Sequence, residues 1–96
     1  MDLNVMLYPP LRNAAGRSQV SVTLEGEGTI QTVIDALVVQ FGPQFRQQLY
    51  DDQDRIIPAW SVFLNSHPVQ LNRPEHLNTP VQDGDELAFI LNIAGG

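Results

Sequence analysis

The chain predicts an α+β fold, a mixed β-sheet with one main helix packed across one face. Three observations point there. Two alternating segments near the start read as strands, one central segment reads as an amphipathic helix, and Glu86–Leu91 near the end reads as a final strand. The 96 residues are 43% apolar and 17% charged, which supplies one core and excludes wholesale disorder.

Leu3, Val5 and Leu7 alternate with Asn4, Met6 and Tyr8, the period of a strand with one buried face. Pro9-Pro10 ends it, because proline has no N–H for a ladder. Residues 11–17 read as a loop. Val20, Val22 and Leu24 mark a second strand, closed by Glu25-Gly26-Glu27-Gly28 as a hairpin ribbon.

The period then changes. Ile30, Val33, Ile34, Leu37, Val38 and Phe41 fall on one helical stripe, with Thr29 at the N-cap and Gly42-Pro43 as the stop. Many of these residues are β-branched and only middling helix formers, so the helix depends on packing against the sheet. Phe45 and Leu49, four apart, predict a short second helix within 44–50.

Asp51-Asp52-Gln53-Asp54 reads as a solvated turn, since the spacing and central glycine of a calcium loop are missing. Ser61–Asn65 reads as a strand, Ser66-His67 as the turn after it, and Val69–Leu71 as a brief return strand. Residues 72–82, with Pro74 and Pro80, read as irregular. Gln82-Asp83-Gly84-Asp85 then turns into a final strand, Glu86–Leu91. Two strands, a crossing helix and shorter strands make the β-grasp pattern, with the last strand at the sheet's centre or beside the first. No repeat or second domain is visible. The expectation is a single β-grasp domain over 1–96, with 92–96 a flexible C-terminal diglycine tail.

Composition removes several function classes. Without cysteine there is no disulfide, thiol nucleophile or thiolate metal site. No apolar run is long enough for a membrane span, and Met1-Asp2-Leu3-Asn4 lacks the basic and apolar regions of a signal peptide, so a cytoplasmic chain without a membrane partner is expected. A net charge of −6 with five scattered arginines argues against nucleic acid. The acidity suits docking on a basic partner, and it equally serves solubility alone. His67 and His76 have no metal-ligand spacing, and Gly26 and Gly28 lack the third glycine of a phosphate fingerprint. No metal site is expected.

The C-terminus stands apart. Gly95-Gly96 follows the last strand with no linker. A terminal carboxylate can be activated as an acyl-adenylate and attacked by a sulfur or amine nucleophile. Glycine, lacking Cβ, lets such a tail pass a narrow channel in a partner's active site. A frayed end fits the same two residues equally well.

Asp83-Gly84-Asp85-Glu86-Leu87-Ala88-Phe89, followed by Ile93-Ala94-Gly95-Gly96, resembles the ending of the MoaD/ThiS family of ubiquitin-like sulfur carriers. Ser61-Val62-Phe63-Leu64-Asn65 resembles the family's V-x-V-N segment, and 5–42 fits its hairpin and helix. The resemblance implies a non-catalytic carrier that binds no cofactor itself. A partner adenylating enzyme uses ATP to activate the Gly96 carboxylate, and a sulfur donor converts it to a thiocarboxylate. Ile93, Ala94 and Gly95 then thread into an acceptor enzyme such as the molybdopterin synthase large subunit. The length favours the molybdopterin type, the small subunit of that synthase in molybdenum-cofactor biosynthesis. Leu91-Asn92, standing where a Pro-Pro pair is frequent, leaves cysteine or thiamin synthesis and a ubiquitin-like protein-modifier role open. Alternation adds a docking surface. If Leu3, Val5, Leu7, Val20, Val22, Leu87 and Phe89 face the helix, Ile90, Phe63 and Met6 lie on the uncovered side as partner-binding residues.

Overall fold

A computed structural model describes residues 1–71 and 73–92. Alternation is realised directly in Asp2–Leu7, strand β1, where Leu3, Val5 and Leu7 are buried. Leu11–Ala15 forms a short helix, α1, and Gln19–Thr23 forms β2, burying Val20 and Val22. A two-residue strand, β3 (Gly28–Thr29), leads into the main helix, α2 (Ile30–Phe41), and then α3 (Pro43–Leu49). After the acidic turn come β4 (Trp60–Leu64), β5 (His67–Gln70), β6 (Pro80–Val81) and β7 (Glu86–Leu91).

The main sheet runs β2-β1-β7-β4-β5. Both placements considered for the last strand are met at once. β7 is parallel to β1, with Val5 opposite Leu87, and antiparallel to β4, with Val62 opposite Phe89. Helix α2 buries Ile30, Val33, Ile34 and Leu37 against the covered face. Its start is capped reciprocally: the Thr32 N–H donates to Thr29 Oγ1 at 3.3 Å, and the Thr29 N–H donates to Thr32 Oγ1 at 3.0 Å. Gly42, at φ 84°, ends α2 and opens α3, which buries Phe45 and Leu49. A mixed sheet with its main helix on one face is the β-grasp fold.

Three local readings are corrected. Residues 11–17 are not a loop throughout: α1 is anchored by fully buried Leu11 and ended by Gly16 at φ 77°, and five residues are too few to show a helical period. The hairpin turn is Asn65-Ser66, not Ser66-His67. Both residues have positive φ, 50° and 74°, and Leu64 pairs with His67, as a two-residue turn requires. Residues 72–82 contain a 3₁₀ turn at Pro74–Asn78 and β6, which pairs with β3. The sequence reading also passed over Trp60. Its ring is fully buried, and its indole N–H donates to Gln48 O at 2.9 Å, which ties β4 to α3.

Candidate functional site

The site is built from the turn before β7, the strand itself, its exit and the uncovered sheet face. The turn's two aspartates bind neighbouring peptide groups. Asp83 Oδ1 accepts the Asp2 N–H at 2.7 Å, and Gly84 donates its N–H to Asp2 O at 2.8 Å. Gly84 sits at φ 85°, the left-handed region that glycine enters without a Cβ clash. Asp85 Oδ2 accepts the Gln82 N–H at 2.7 Å, and its Oδ1 accepts from Asn65 Nδ2 at 2.8 Å. Asn65 Oδ1 in turn accepts the Glu86 N–H at 2.9 Å. The Asp-Gly-Asp-Glu run therefore braces β7 against the start of β1 and the β4–β5 hairpin, which sets the strand's register.

At the other end, Asn92 donates its N–H to Ala59 O at 2.8 Å and its side-chain Nδ2–H to Ser61 Oγ at 2.6 Å. Ser61 is the one buried polar residue among those described. The backbone leaving β7 is thus held through Asn92. Gly96, Gly95, Ala94 and Ile93, the residues read as attachment point and threading tail, lie outside the described residues.

On the uncovered face, Met6 pairs with Ala88 across the parallel ladder, and Ala88 pairs with Phe63 across the antiparallel one. Ile90 lies two residues further along β7, opposite Ser61, and therefore on the same face. All four apolar residues are half-buried, and none packs on the core cluster. Tyr8, 45% exposed, follows Met6 with the same parity. The three residues picked from alternation thus share one face, with Ala88 as the bridge. Ala88, Tyr8 and Asn92 were missed. Parity pointed to the first two, whereas nothing local in the sequence marks Asn92 as an anchor.

Elsewhere the polar groups serve the fold. His67 Nδ1 lies 3.2 Å from Asn65 O and His76 Nδ1 lies 2.6 Å from Gln70 O. Among the described residues no group of three or more His, Asp or Glu is placed to hold a metal. In the acidic turn, Asp51 Oδ1 accepts the N–H groups of Arg55 at 3.0 Å and Gln53 at 2.8 Å. Those bonds, Arg55 first, hold the Asp51 carboxyl below its usual pKa. An open groove of about 500 Å³ between Tyr50, Ile56, Pro58, Leu71 and Leu77 is edged by Asp51, Asp54 and Arg55 of the acidic turn, and among the described residues it touches neither the Asp83–Glu86 turn nor the apolar patch. No helix among the described residues is long and apolar enough to cross a membrane.

A β-grasp domain whose central strand leads from an Asp-Gly-Asp-Glu brace toward a diglycine is the design of a ubiquitin-like sulfur carrier. The sequence profile of the ThiS family matches residues 5–96, and the chain belongs to that family of ubiquitin-like sulfur carriers, which work with partner enzymes. Among solved structures, the fold is similar to SAMP1 from Haloferax volcanii at a TM-score of 0.83 and 25% identity, covering 100% of both chains. It is also similar to a putative molybdopterin converting factor, subunit 1, from Pyrococcus furiosus, at 0.71 and 14% identity, covering 97% of this chain and 99% of that one. A chain of the BexX/CysO complex from Amycolatopsis orientalis matches at 0.71 and 23% identity, covering 98% and 99% respectively. No curated protein matches the chain by sequence.

Proposed function

We propose that the Gly96 carboxylate is the working group, carried as a thiocarboxylate that donates sulfur in molybdopterin synthesis, with the chain as the synthase's small subunit. One observation carries this reading: β7 is the central strand, paired on both sides, and it is braced at its start and held through Asn92 at its end. Gly96 is the fourth residue after Asn92, about 14 Å of extended backbone at most. A carboxylate on so short a tether is carried to a depth set by where the domain docks.

The chemistry divides between carrier and partners. The carboxylate oxygen attacks the α-phosphate of ATP held by an adenylating enzyme, expelling pyrophosphate and leaving an acyl-adenylate. A sulfur nucleophile then displaces AMP, and the resulting thiocarboxylate gives its sulfur to the acceptor enzyme, regenerating the carboxylate after hydrolysis. This chain supplies the acyl group, a tail slim enough to thread through Ile93, Ala94 and Gly95, and the docking face around Ile90, Phe63 and Met6. Catalytic side chains and the ATP site belong to the partners.

Incubation with an activating enzyme, ATP and sulfide should raise the intact mass by about 16 Da, one oxygen replaced by sulfur at the terminal glycine. An unchanged mass with every cognate activating enzyme would sink the proposal. Ile90→Glu should weaken docking at least about tenfold, because it sets a charge in an apolar contact, while the melt stays near that of the parent. A second reading, attachment of Gly96 to lysines of other proteins, is favoured by the likeness to small archaeal modifier protein 1. Conjugates on blots of cell extracts would support it. Transfer of sulfur to an acceptor enzyme without conjugates would support the first.

A further inference from the structure

The two edges of the main sheet are built differently. At one edge, β5 carries Pro68, which removes a donor and blunts the edge against further pairing. At the other edge, β2 reads Gln-Val-Ser-Val-Thr, with no proline and no charge. Its ladder to β1 uses every second residue. Leu24 exchanges bonds with Met1, and Ser18 O accepts the Leu7 N–H at 2.8 Å. By the antiparallel alternation, Gln19, Ser21 and Thr23 turn their N–H and C=O away from β1. All three residues are exposed, and none makes a further backbone hydrogen bond among the described residues. Their longer side chains lean inward over β1, with Gln19 Nε2 donating to Asn4 Oδ1 and Thr23 Oγ1 to Asp2 Oδ1, each at 2.8 Å. The edge backbone is left bare.

The charges around this edge are ordered. Arg17 lies just before β2 and Glu25 just after it, each four residues from Ser21, and neither forms an ion pair among the described residues. We infer that β2 is the self-association surface of this chain, pairing antiparallel with β2 of a second copy about a two-fold axis at Ser21. In that register Ser21 faces Ser21 of the partner, Gln19 faces Thr23, and the Arg17 end of each strand meets the Glu25 end of the other. The outward backbone groups all fall in hydrogen-bonded pairs, and the contact is isologous, so it closes at a dimer. A net charge of −6 per chain opposes association, and the two opposite-charge ends offset that locally.

The sheets of the two copies become continuous, and both uncovered faces lie on the same side. Their β7 strands run in opposite directions, so the Asn92 ends point away from each other. Dimerisation by this edge therefore leaves both apolar patches open. The occupant is a second copy rather than an unrelated peptide because the charge order is self-complementary only under a two-fold axis.

Sedimentation velocity on the full chain in about 0.15 M salt should show monomer passing to dimer between about 10 μM and 1 mM. Arg17→Glu and Glu25→Arg should each weaken the dimer about tenfold, since each sets like charges face to face, and the double exchange should restore it. The chain has no cysteine, so Ser21→Cys gives a clean cross-linking probe. Facing residues of a hydrogen-bonded pair lie about 5.5 Å apart at Cα, within disulfide range. Under oxidation Ser21→Cys should dimerise covalently, and Gln47→Cys, exposed on α3, should not. A monomer at every concentration, or equal cross-linking of the two cysteine variants, would overturn the assignment.

Discussion

Asp51 and Asp85 each accept a peptide N–H from within their own turn, and Asp85 also accepts the side-chain amide of Asn65. For Asp51 the Arg55 and Gln53 N–H bonds favour the ionised form, so its pKa in the folded chain lies below the ordinary 3.8. The sign follows from linkage: a depressed folded pKa contributes stability that is present above the unfolded carboxylate's pKa and is lost as pH falls through the folded one. An NMR titration should place the Asp51 midpoint below that of a free aspartate, and Asp51→Asn should flatten part of the stability loss on the acid side of about pH 4. At Gly96 a different kind of dependence is expected. Gly96→Ala should leave the thermal melt unchanged, because the residue lies beyond the last strand, and should abolish the mass gain with activating enzyme and sulfide. A lowered melt would assign the tail to the fold instead. That Ile90, Phe63 and Met6 share the uncovered face was legible because a strand's period of two sorts faces without any knowledge of partners. Asn92 was not, because its partners Ala59 and Ser61 are some thirty residues away in sequence and meet it only across the β4–β7 ladder.

Elements show how local chemistry and packing share the control. The capping box at Thr29 and Thr32 satisfies peptide groups at the start of α2 that the helix itself leaves open. Thr29→Ala should cost about 1 kcal/mol, read as a lower denaturant midpoint at unchanged slope. Ser66 holds φ 74° in the β4–β5 turn, a conformation costly for any residue with a Cβ. Ser66→Gly converts the turn to Asn-Gly and should stabilise by about 0.5–1 kcal/mol, a rise of several degrees in the melt. The helix α2 was legible from its stripe and its cap. The strands β3 and β6 were not, since two residues carry no period, and they exist because Gly28–Thr29 and Pro80–Val81 are brought side by side by the rest of the chain. The α1 helix likewise follows from Leu11 reaching the core, not from any pattern in 11–17.

At the scale of the molecule, β7 joins the two halves of the sheet, and Phe89 fills the core beneath it with no exposed surface. Phe89→Ala should cost about 3–5 kcal/mol by cavity formation, a large share of the 5–15 kcal/mol typical of a whole domain. Calorimetry of this variant beside Gly96→Ala would separate a residue that holds the fold from one that works beyond it. The sequence by itself determined the fold class, the main helix and its cap, the buried faces of β1, β2 and β7, and the diglycine with its Asp-Gly-Asp-Glu approach. These are periodic or local signals, and each is complete within a dozen residues. Only the tertiary structure decided the order of strands, the bridging of Met6 and Phe63 by Ala88, the anchoring of Asn92, and the open edge at β2. The physical reason is common to all four: they are set by which strands pair, and pairing depends on contacts between residues far apart in the chain.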